Sequence, residues 1–120
     1  MIRSGIDIIE IERVAAAVQR HQEKFLQRIY TTQELINSQG KPQSLAARFA
    51  AKEAVAKAIG SGIGKISWKD IEILSYENGQ PYVNLRGYAR DLSDQQGLSE
   101  WSISLSHSLQ YAVAIAVAIG

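Results

Sequence analysis

Four charged side chains stand in an alanine-rich segment that runs from residue 48 to residue 60, namely Arg48, Lys52, Glu53 and Lys57. Alanine has the highest helix propensity and permits close packing, so charges among alanines are expected to lie near other backbone. Glu53 and Lys57 share one face of the predicted helix, and Arg48 and Lys52 share another. The segment predicts a site on a packing helix. The alternative is ordinary surface ion pairs, each worth roughly 0.2–0.5 kcal/mol.

A second carboxylate, Asp7, falls at the junction between a predicted first strand and a predicted first helix. At such a junction a carboxylate can face a cleft. Asp7 and Glu10 also have the spacing of a helix N-cap pair, which would make Asp7 a structural residue. Asp7 alone favours the structural interpretation, and only its combination with other groups indicates a site.

His107 and a glycine-rich loop are the remaining candidates. His107 ends an alternating segment between two serines, which suits either a half-exposed structural histidine or a group that binds phosphate or transfers a proton. Gly60, Gly62 and Gly64 follow the alanine-rich helix and form a loop whose backbone could approach a nucleotide closely. The loop lacks the pattern of a P-loop, so it is weak evidence by itself.

These groups together suit the chemistry of a phosphate-containing substrate. Two carboxylates suit Mg²⁺, because this ion takes few protein ligands and completes its octahedron with water and substrate phosphates. Arginine and lysine suit the remaining phosphate oxygens. Phosphoryl-type transfer needs mainly positioning and charge neutralisation, so this small set is chemically sufficient for it.

Composition limits the classes of protein that need to be considered. A chain of 120 residues has the usual size of one domain, residues 1–120. Its net charge of +1 gives no general reason to expect nucleic-acid binding. The absence of cysteine excludes disulfides and thiolate chemistry. The longest apolar run, residues 111–119, is far shorter than the ~20 residues of a membrane helix, and an early acid argues against a signal peptide. A cytoplasmic protein is expected.

The elements that must position these groups alternate in type, which predicts a mixed α+β domain. Apolar periodicity predicts strands at residues 2–8, 66–68, 71–76, 82–85, 101–107 and 111–119, and helices at 9–21, 25–29 and 87–96. Thr31 and Glu34 match a capping box that opens a further short helix ending near Gly40. Pro42 introduces the alanine-rich helix, and Gly60 ends it.

The last predicted strand has two apolar faces, one of alanines and one of large residues. One face can cover the helices of the same chain. The small alanine face would let a helix or another subunit approach closely, which makes oligomerisation plausible. A central strand buried within one chain is at least as consistent with the periodicity.

In this order and over this length, several motifs resemble the holo-acyl-carrier-protein synthase family, the small bacterial type of the 4'-phosphopantetheinyl transferase superfamily. The motifs are GIDIIE at 5–10, RFAAKEA at 48–54, GSGIG at 60–64, NGQP at 78–81 and SLSHS at 104–108. The resemblance implies an α+β fold with an antiparallel sheet packed against a long helix. It also implies a homotrimer with active sites at subunit interfaces.

The resemblance implies that the phosphopantetheine arm of coenzyme A is transferred to a serine of apo-acyl carrier protein, with release of adenosine 3',5'-bisphosphate. In the family pattern, Asp7 and Glu53 match acids that bind Mg²⁺, which would bridge them to the pyrophosphate of coenzyme A. The acceptor of the serine proton stays open between Glu53, Asp7 and a water on the metal. Lys57 and His107 match further catalytic positions.

The resemblance also assigns residues to the two substrates. Positions that match coenzyme A contacts are Arg48, Lys57, Gly60, Gly62, Gly64 and His107. Positions placed to meet the acidic carrier protein are Arg13, Arg20, Phe25 and Arg28, although a solvated helix face is the alternative for each arginine. The loop at 40–43 is less basic than in some relatives, with Lys41 its only candidate, and the role of Lys52 stays open.

Two other classes of function remain alternatives. A non-catalytic module would bind coenzyme A but leave the mass of apo-carrier protein unchanged. A structural oligomerisation domain would show no rise in melting temperature with ligand, whereas specific binding to the native state raises it.

Overall fold

The computed structural model describes residues 1–120. The chain runs through β1 (Ile2–Glu10), α1 (Ile11–His21), α2 (Glu23–Ile29), α3 (Thr32–Ser38), α4 (Pro42–Ile59), β2 (Ile71–Ser75), β3 (Pro81–Leu85), α5 (Gly87–Gln95), β4 (Glu100–His107) and β5 (Tyr111–Ile119). The sheets are antiparallel, so the mixed α+β prediction is confirmed. No helix combines the length and the apolar character that crossing a membrane would require.

Two separate sheets form. β1, β5 and β4 make a three-stranded antiparallel sheet in the order β1-β5-β4, and β2 and β3 make a hairpin of their own. β5 is thus the central strand of the larger sheet. Its bounds match the prediction, as does the hairpin turn around Gly79, whose φ of 87° is the left-handed conformation that glycine accepts.

α4 is the central element of the core. Pro42 occupies its first turn, and Gly60 ends it in the left-handed conformation, as predicted. The helix is buried along most of its length because it lies between the larger sheet and the hairpin. Its small alanines permit this close approach on several sides, which explains why the segment has no single apolar stripe.

The two faces of β5 have different environments. Ala112, Ala114, Ala116 and Ala118 are buried, and Ala114 and Ala116 pack in the same core cluster as α4. The opposite face carries Tyr111, Ile115 and Ile119, which are exposed. The alanine face therefore receives a helix of the same chain, and the face of large residues is the one left open.

One of the local predictions is wrong. Residues 66–68 do not form a strand, because Ile66 makes a single bridge to Ile63 and Trp68 begins a short 3-10 turn, Trp68–Asp70. In this turn Trp68 packs its ring on Phe49, with ring centroids 4.7 Å apart. The capping box of α3 is present as predicted, with Thr31 and Glu34 each bonding the other's backbone N–H.

Candidate active site

Asp7 lies within β1, and a close contact between β1 and α4 brings it to the helix. A Cβ atom on Gly5 would collide with the carbonyl oxygen of Ala54 and lie 2.8 Å from the backbone nitrogen of Ala58. Only glycine therefore permits this crossing. Asp7 is two residues further along the same face of the strand. The N-cap interpretation of Asp7 is wrong, because α1 begins after Glu10, which makes no side-chain cap.

Lys57 is the direct partner of Asp7. Its Nζ donates to Asp7 Oδ1 at 3.2 Å and to the carbonyl oxygen of Ile6 at 2.9 Å. The pair is open to solvent, with the Lys57 side chain 52% exposed and that of Asp7 18% exposed. Such an open pair can exchange its partners when an anion or a cation arrives.

Glu53 is one helical turn before Lys57 and completes a cluster of two carboxylates and one ammonium. Burial raises the pKa of Glu53 above its ordinary value, the negative charge of Asp7 raises it further, and Lys57 opposes both. A carboxylate whose charge is disfavoured by burial and by a neighbouring carboxylate suits a cation shared between the two. Nowhere do three or more histidine, cysteine, aspartate or glutamate side chains gather in a metal-ligating group. A two-carboxylate site fits Mg²⁺, which keeps several waters and substrate oxygens.

Arg48 points to another side of α4. Residues 48 and 57 are nine positions apart, which is about 180° around a helix at 3.6 residues per turn. The Arg48 guanidinium is buried, donates to Ser44 Oγ, and leaves Nε without a partner. Burial lowers its pKa, and Glu34 and Tyr30 oppose that shift. Within one chain, Arg48 is not brought to the Asp7 cluster.

The glycine loop follows the last turn of α4, which carries Lys57. Gly60 and Gly62 have φ of 94° and 68°, so both need the left-handed freedom of glycine. Gly64 lies in open space. A cation that the sequence prediction missed, Arg3, lies beside this loop, because a Cβ on Gly60 would be 3.4 Å from Arg3 Nη1. The signal was available, since Arg3 and Asp7 alternate onto the same face of β1.

His107 ends β4 and is exposed. Its Nδ1 lies 3.3 Å from the carbonyl oxygen of Ser108. In register, His107 stands opposite Ala112 of β5, which in turn stands opposite Ile9 of β1. β4 and β1 are thus two strand spacings apart, about 10 Å. One chain therefore holds His107 apart from the Asp7 cluster.

The basic residues of the first two helices form a separate surface. Arg13, Arg20 and Arg28 are exposed, and Phe25 is half-buried with its ring edge against Tyr30. A shallow cavity of about 230 Å³ is lined by His21, Lys24, Phe25 and Arg28. Sequence reasoning missed His21 and Lys24. Their helical spacing from Phe25 and Arg28 was the available signal.

Lys52, whose role the sequence left open, is fully buried and bonds Glu34, which is also fully buried. Sequence reasoning treated Glu34 only as a capping residue. The four charges of α4 are therefore divided between two sides of the helix rather than presented to one cleft.

The chain matches the model of a known protein family. The family "ACPS: 4'-phosphopantetheinyl transferase superfamily" matches residues 3–116. The chain therefore belongs to the 4'-phosphopantetheinyl transferase superfamily.

Within that superfamily, the chain is similar over nearly its whole length to proteins named holo-[acyl-carrier-protein] synthase. The protein of that name from Alkaliphilus metalliredigens is 46% identical over 95% of each chain. The one from Dehalococcoides mccartyi is 49% identical over 98% of each chain. The crystal structure of the Helicobacter pylori enzyme in complex with coenzyme A matches with a TM-score of 0.89 at 36% identity, covering 99% of this chain and 100% of that one.

Proposed function

We propose that this chain is a holo-[acyl-carrier-protein] synthase, which transfers 4'-phosphopantetheine from coenzyme A to a serine of apo-acyl carrier protein. The observation that carries the proposal is the cluster of Asp7, Glu53 and Lys57 where β1 crosses α4. Because the chain belongs to the 4'-phosphopantetheinyl transferase superfamily, phosphopantetheine transfer is the reaction that we assign to this cluster. The serine hydroxyl oxygen bonds to the phosphorus next to pantetheine, the pyrophosphate bond to adenosine 3',5'-bisphosphate breaks, and the hydroxyl proton is released.

Asp7 and Glu53 would hold the Mg²⁺ that we propose as cofactor. Burial and the charge of Asp7 raise the pKa of Glu53, and this supports the assignment, because a cation held between the two carboxylates would offset both effects. When bound, the ion supplies neutralisation of the pyrophosphate charge and stabilisation of the leaving group. Lys57 contributes a half-exposed positive charge beside Asp7, within reach of an anionic substrate.

We propose that coenzyme A contacts the glycine loop (Gly60, Gly62 and Gly64), Lys57, Arg48 and His107. The glycine loop and Lys57 adjoin the carboxylate cluster. This proximity supports their proposed contact with coenzyme A. Arg48 and His107 lie away from that cluster in one chain. Both are expected to act in an active site shared between subunits, where Arg48 or His107 of one copy completes the cluster of another.

The exposed face of the larger sheet supports a homotrimer. Large apolar residues on this face come from both β1 and β5, and they are Ile2, Ile6, Ile8, Tyr111, Ile115 and Ile119. A contiguous apolar sheet face of this kind marks an interaction surface. Replacing Ile115 by Glu should convert the proposed trimer to monomer, as measured by light scattering with size-exclusion chromatography. It should also lower transfer activity. An Ile115→Glu variant that stays trimeric would contradict this interface.

The basic surface of α1 and α2 is proposed to dock the acidic carrier protein, through Arg13, Arg20 and Arg28 with Phe25 as an apolar contact. Complementary charge speeds encounter more than it sets affinity. Replacing Arg28 by Glu should raise KM for the carrier protein and leave KM for coenzyme A unchanged. The effect should shrink at high salt, because surface charges are screened. A cytoplasmic location follows from these substrates as a prediction.

Mass spectrometry tests the function directly. Apo-acyl carrier protein incubated with the chain, coenzyme A and Mg²⁺ should gain the mass of one phosphopantetheine group. Addition of EDTA should abolish that gain, and a carrier protein whose acceptor serine is replaced by alanine should not react. An unchanged carrier-protein mass under all conditions would reject the proposal in favour of a non-catalytic module.

A further inference from the structure

Lys52 has a partner for each of its ammonium donors. Its Nζ lies 2.8 Å from Glu34 Oε1, 3.1 Å from the carbonyl oxygen of Trp68 and 2.6 Å from that of Ile71. A lysine ammonium has three donors, so these acceptors satisfy it completely. No donor remains for a substrate, and Lys52 is fully buried. Lys52 is therefore not a binding residue of a cleft.

Both oxygens of the Glu34 carboxylate also have hydrogen-bond partners. Its Oε1 accepts from the backbone N–H of Thr31 at 2.9 Å, and its Oε2 accepts from that of Ile73 at 3.0 Å. Its charge also acts on the second buried cation of α4, because it opposes the burial that lowers the pKa of Arg48. Glu34 thus forms its ion pair with Lys52.

Stability by itself does not require this arrangement. Burying an ion pair costs desolvation energy, and well-packed apolar side chains of similar volume often serve stability equally well. Hydrogen bonds add direction, which apolar packing does not. Besides the capping box that Glu34 makes at the start of its own helix α3, Lys52 and Glu34 bond backbone groups of two further segments, the 3-10 turn at Trp68 and strand β2.

The β2–β3 hairpin needs a directional link of this kind. It forms its own sheet and shares no strand ladder with β1, β5 and β4. Ile71 and Ile73 pack in the core with the alanines of α4, but apolar attraction is non-directional and permits sliding. The bonds from Lys52 to Ile71 and from Glu34 to Ile73 fix the hairpin at one position on the helix.

We propose that Lys52 and Glu34 are positioning residues of the transfer reaction, whose buried link fixes the rotation of α4 and with it the directions of Glu53 and Arg48. Glu53 directly follows Lys52, so the two side chains are separated by about 100° of rotation and about 1.5 Å of rise. A rotation of α4 that released Lys52 would move Glu53 relative to Asp7. This inference rests on the proposed function, because it assigns the link a part in that reaction.

The test uses variants of the full-length protein that separate position from charge. The double variant Lys52→Met/Glu34→Gln removes both charges of the pair together, so neither Lys52 nor Glu34 leaves an unpaired partner behind. We expect kcat to fall about 10- to 100-fold, as for a misplaced catalytic group, with KM for coenzyme A changed much less. The Ile73 amide should exchange hydrogen faster relative to the Ala114 amide of β5. The matched control is Arg90→Met, which removes the exposed Arg90–Asp94 pair of α5. It should change neither kcat nor the exchange of the Ile73 amide.

Two further variants keep the test decisive. Glu34→Asp retains the charge but withdraws the carboxylate from its donors, and it should lower kcat even if the double variant does not fold. The reversed pair Lys52→Glu/Glu34→Lys should not restore kcat, because each new side chain faces backbone groups of the wrong polarity. Wild-type kcat in a folded double variant or in Glu34→Asp would overturn the proposal. Failure of the wild-type chain to transfer phosphopantetheine would instead reject the proposed function, while the Ile73 exchange would still report the link.

Discussion

Two lysines of α4, five residues apart, each pair with a carboxylate, and their surroundings differ completely. Lys57 bonds Asp7 at 3.2 Å in a pair open to solvent. Lys52 bonds Glu34 at 2.8 Å in a pair with no exposure at all. The open pair has unused bonding capacity and stands beside a second carboxylate, Glu53. One helix can thus hold a structural lysine on one side and a reactive one on another.

The largest expected effect is on stability, and it should distinguish the two lysines. Lys52→Met leaves the Glu34 charge buried and unpaired, and it should lower the free energy of unfolding by about 3–5 kcal/mol. Lys57→Met removes an exposed pair and should cost less than about 1 kcal/mol. Urea denaturation of the two variants measures the difference. Equal losses would remove the distinction between the two sides of α4.

The next effect is on turnover. Asp7→Ala and Glu53→Ala should each lower kcat by at least about a hundredfold, because the transition state loses charge stabilisation. Their melting temperatures should stay close to that of the wild type, since neither carboxylate holds the core together. The control is Asp91→Ala, which replaces an exposed acid of α5. Near wild-type transfer by either variant would rule out the proposed metal site.

The close crossing of β1 and α4, which brings Asp7 to Lys57, can be tested at Gly5. A methyl group there meets the backbone of α4, so Gly5→Ala should cost about 1–3 kcal/mol of stability through overpacking. It should also lower kcat by moving Asp7 from Glu53. Gly64→Ala is the stability control, because a Cβ atom at Gly64 meets open space. Thermal unfolding and steady-state kinetics report the two effects, and an unchanged Gly5→Ala protein would contradict the close crossing.

The smallest effect is a pair of opposite pH dependences. Burial and Asp7 raise the pKa of Glu53, so in metal-free protein its ionised form disfavours the fold at neutral pH. Burial would also raise the pKa of Glu72, but hydrogen bonds from Thr31 and Asn84 and the charges of Arg86 and Lys52 together outweigh burial and lower it. Glu53→Gln should therefore raise the melting temperature slightly at pH 7, and Glu72→Gln should lower it.

Both differences should fade as the pH falls. The fold gains from protonated Glu53 below the ordinary pKa of 4.5 and loses that gain as pH rises through the higher folded value. The contribution of ionised Glu72 is present above 4.5 and lost as pH falls through its lower folded value. Melting curves in EDTA from pH 3 to pH 8 measure both. Shifts of the same sign in the two variants would contradict the assignment.

Much of the fold was predictable from local signals. The capping box at Thr31, the stop at Gly60 and the alternation of β5 each depend on residues close in sequence, and the structure has all three. The segment at 66–68 was not predictable in this way. Its backbone bends because the Trp68 ring packs on Phe49 and the Trp68 carbonyl bonds Lys52, and both partners are distant in the chain.

The candidate site was also predictable only in part, because some of its features depend on contacts between distant residues. The motifs identified Asp7, Glu53 and Lys57, and the structure places these three side chains together. Their assigned roles stay predictions. Arg3, His21, Lys24 and the partnership of Lys52 with Glu34 were missed. Each depends on which residues meet across elements, and periodicity gives the face of an element without naming what packs on it.

The sequence by itself determined the elements, the family and the residue types of the site, because propensities, caps and motifs act over a few neighbouring positions. Only the tertiary structure decided how the charges of α4 are used. The crossing of β1 at Gly5 opened one side of the helix to Asp7, and the packing of α3 and the hairpin enclosed the other around Lys52. Burial and available partners separate a structural charge from a reactive one, and both are set by contacts between distant parts of the chain.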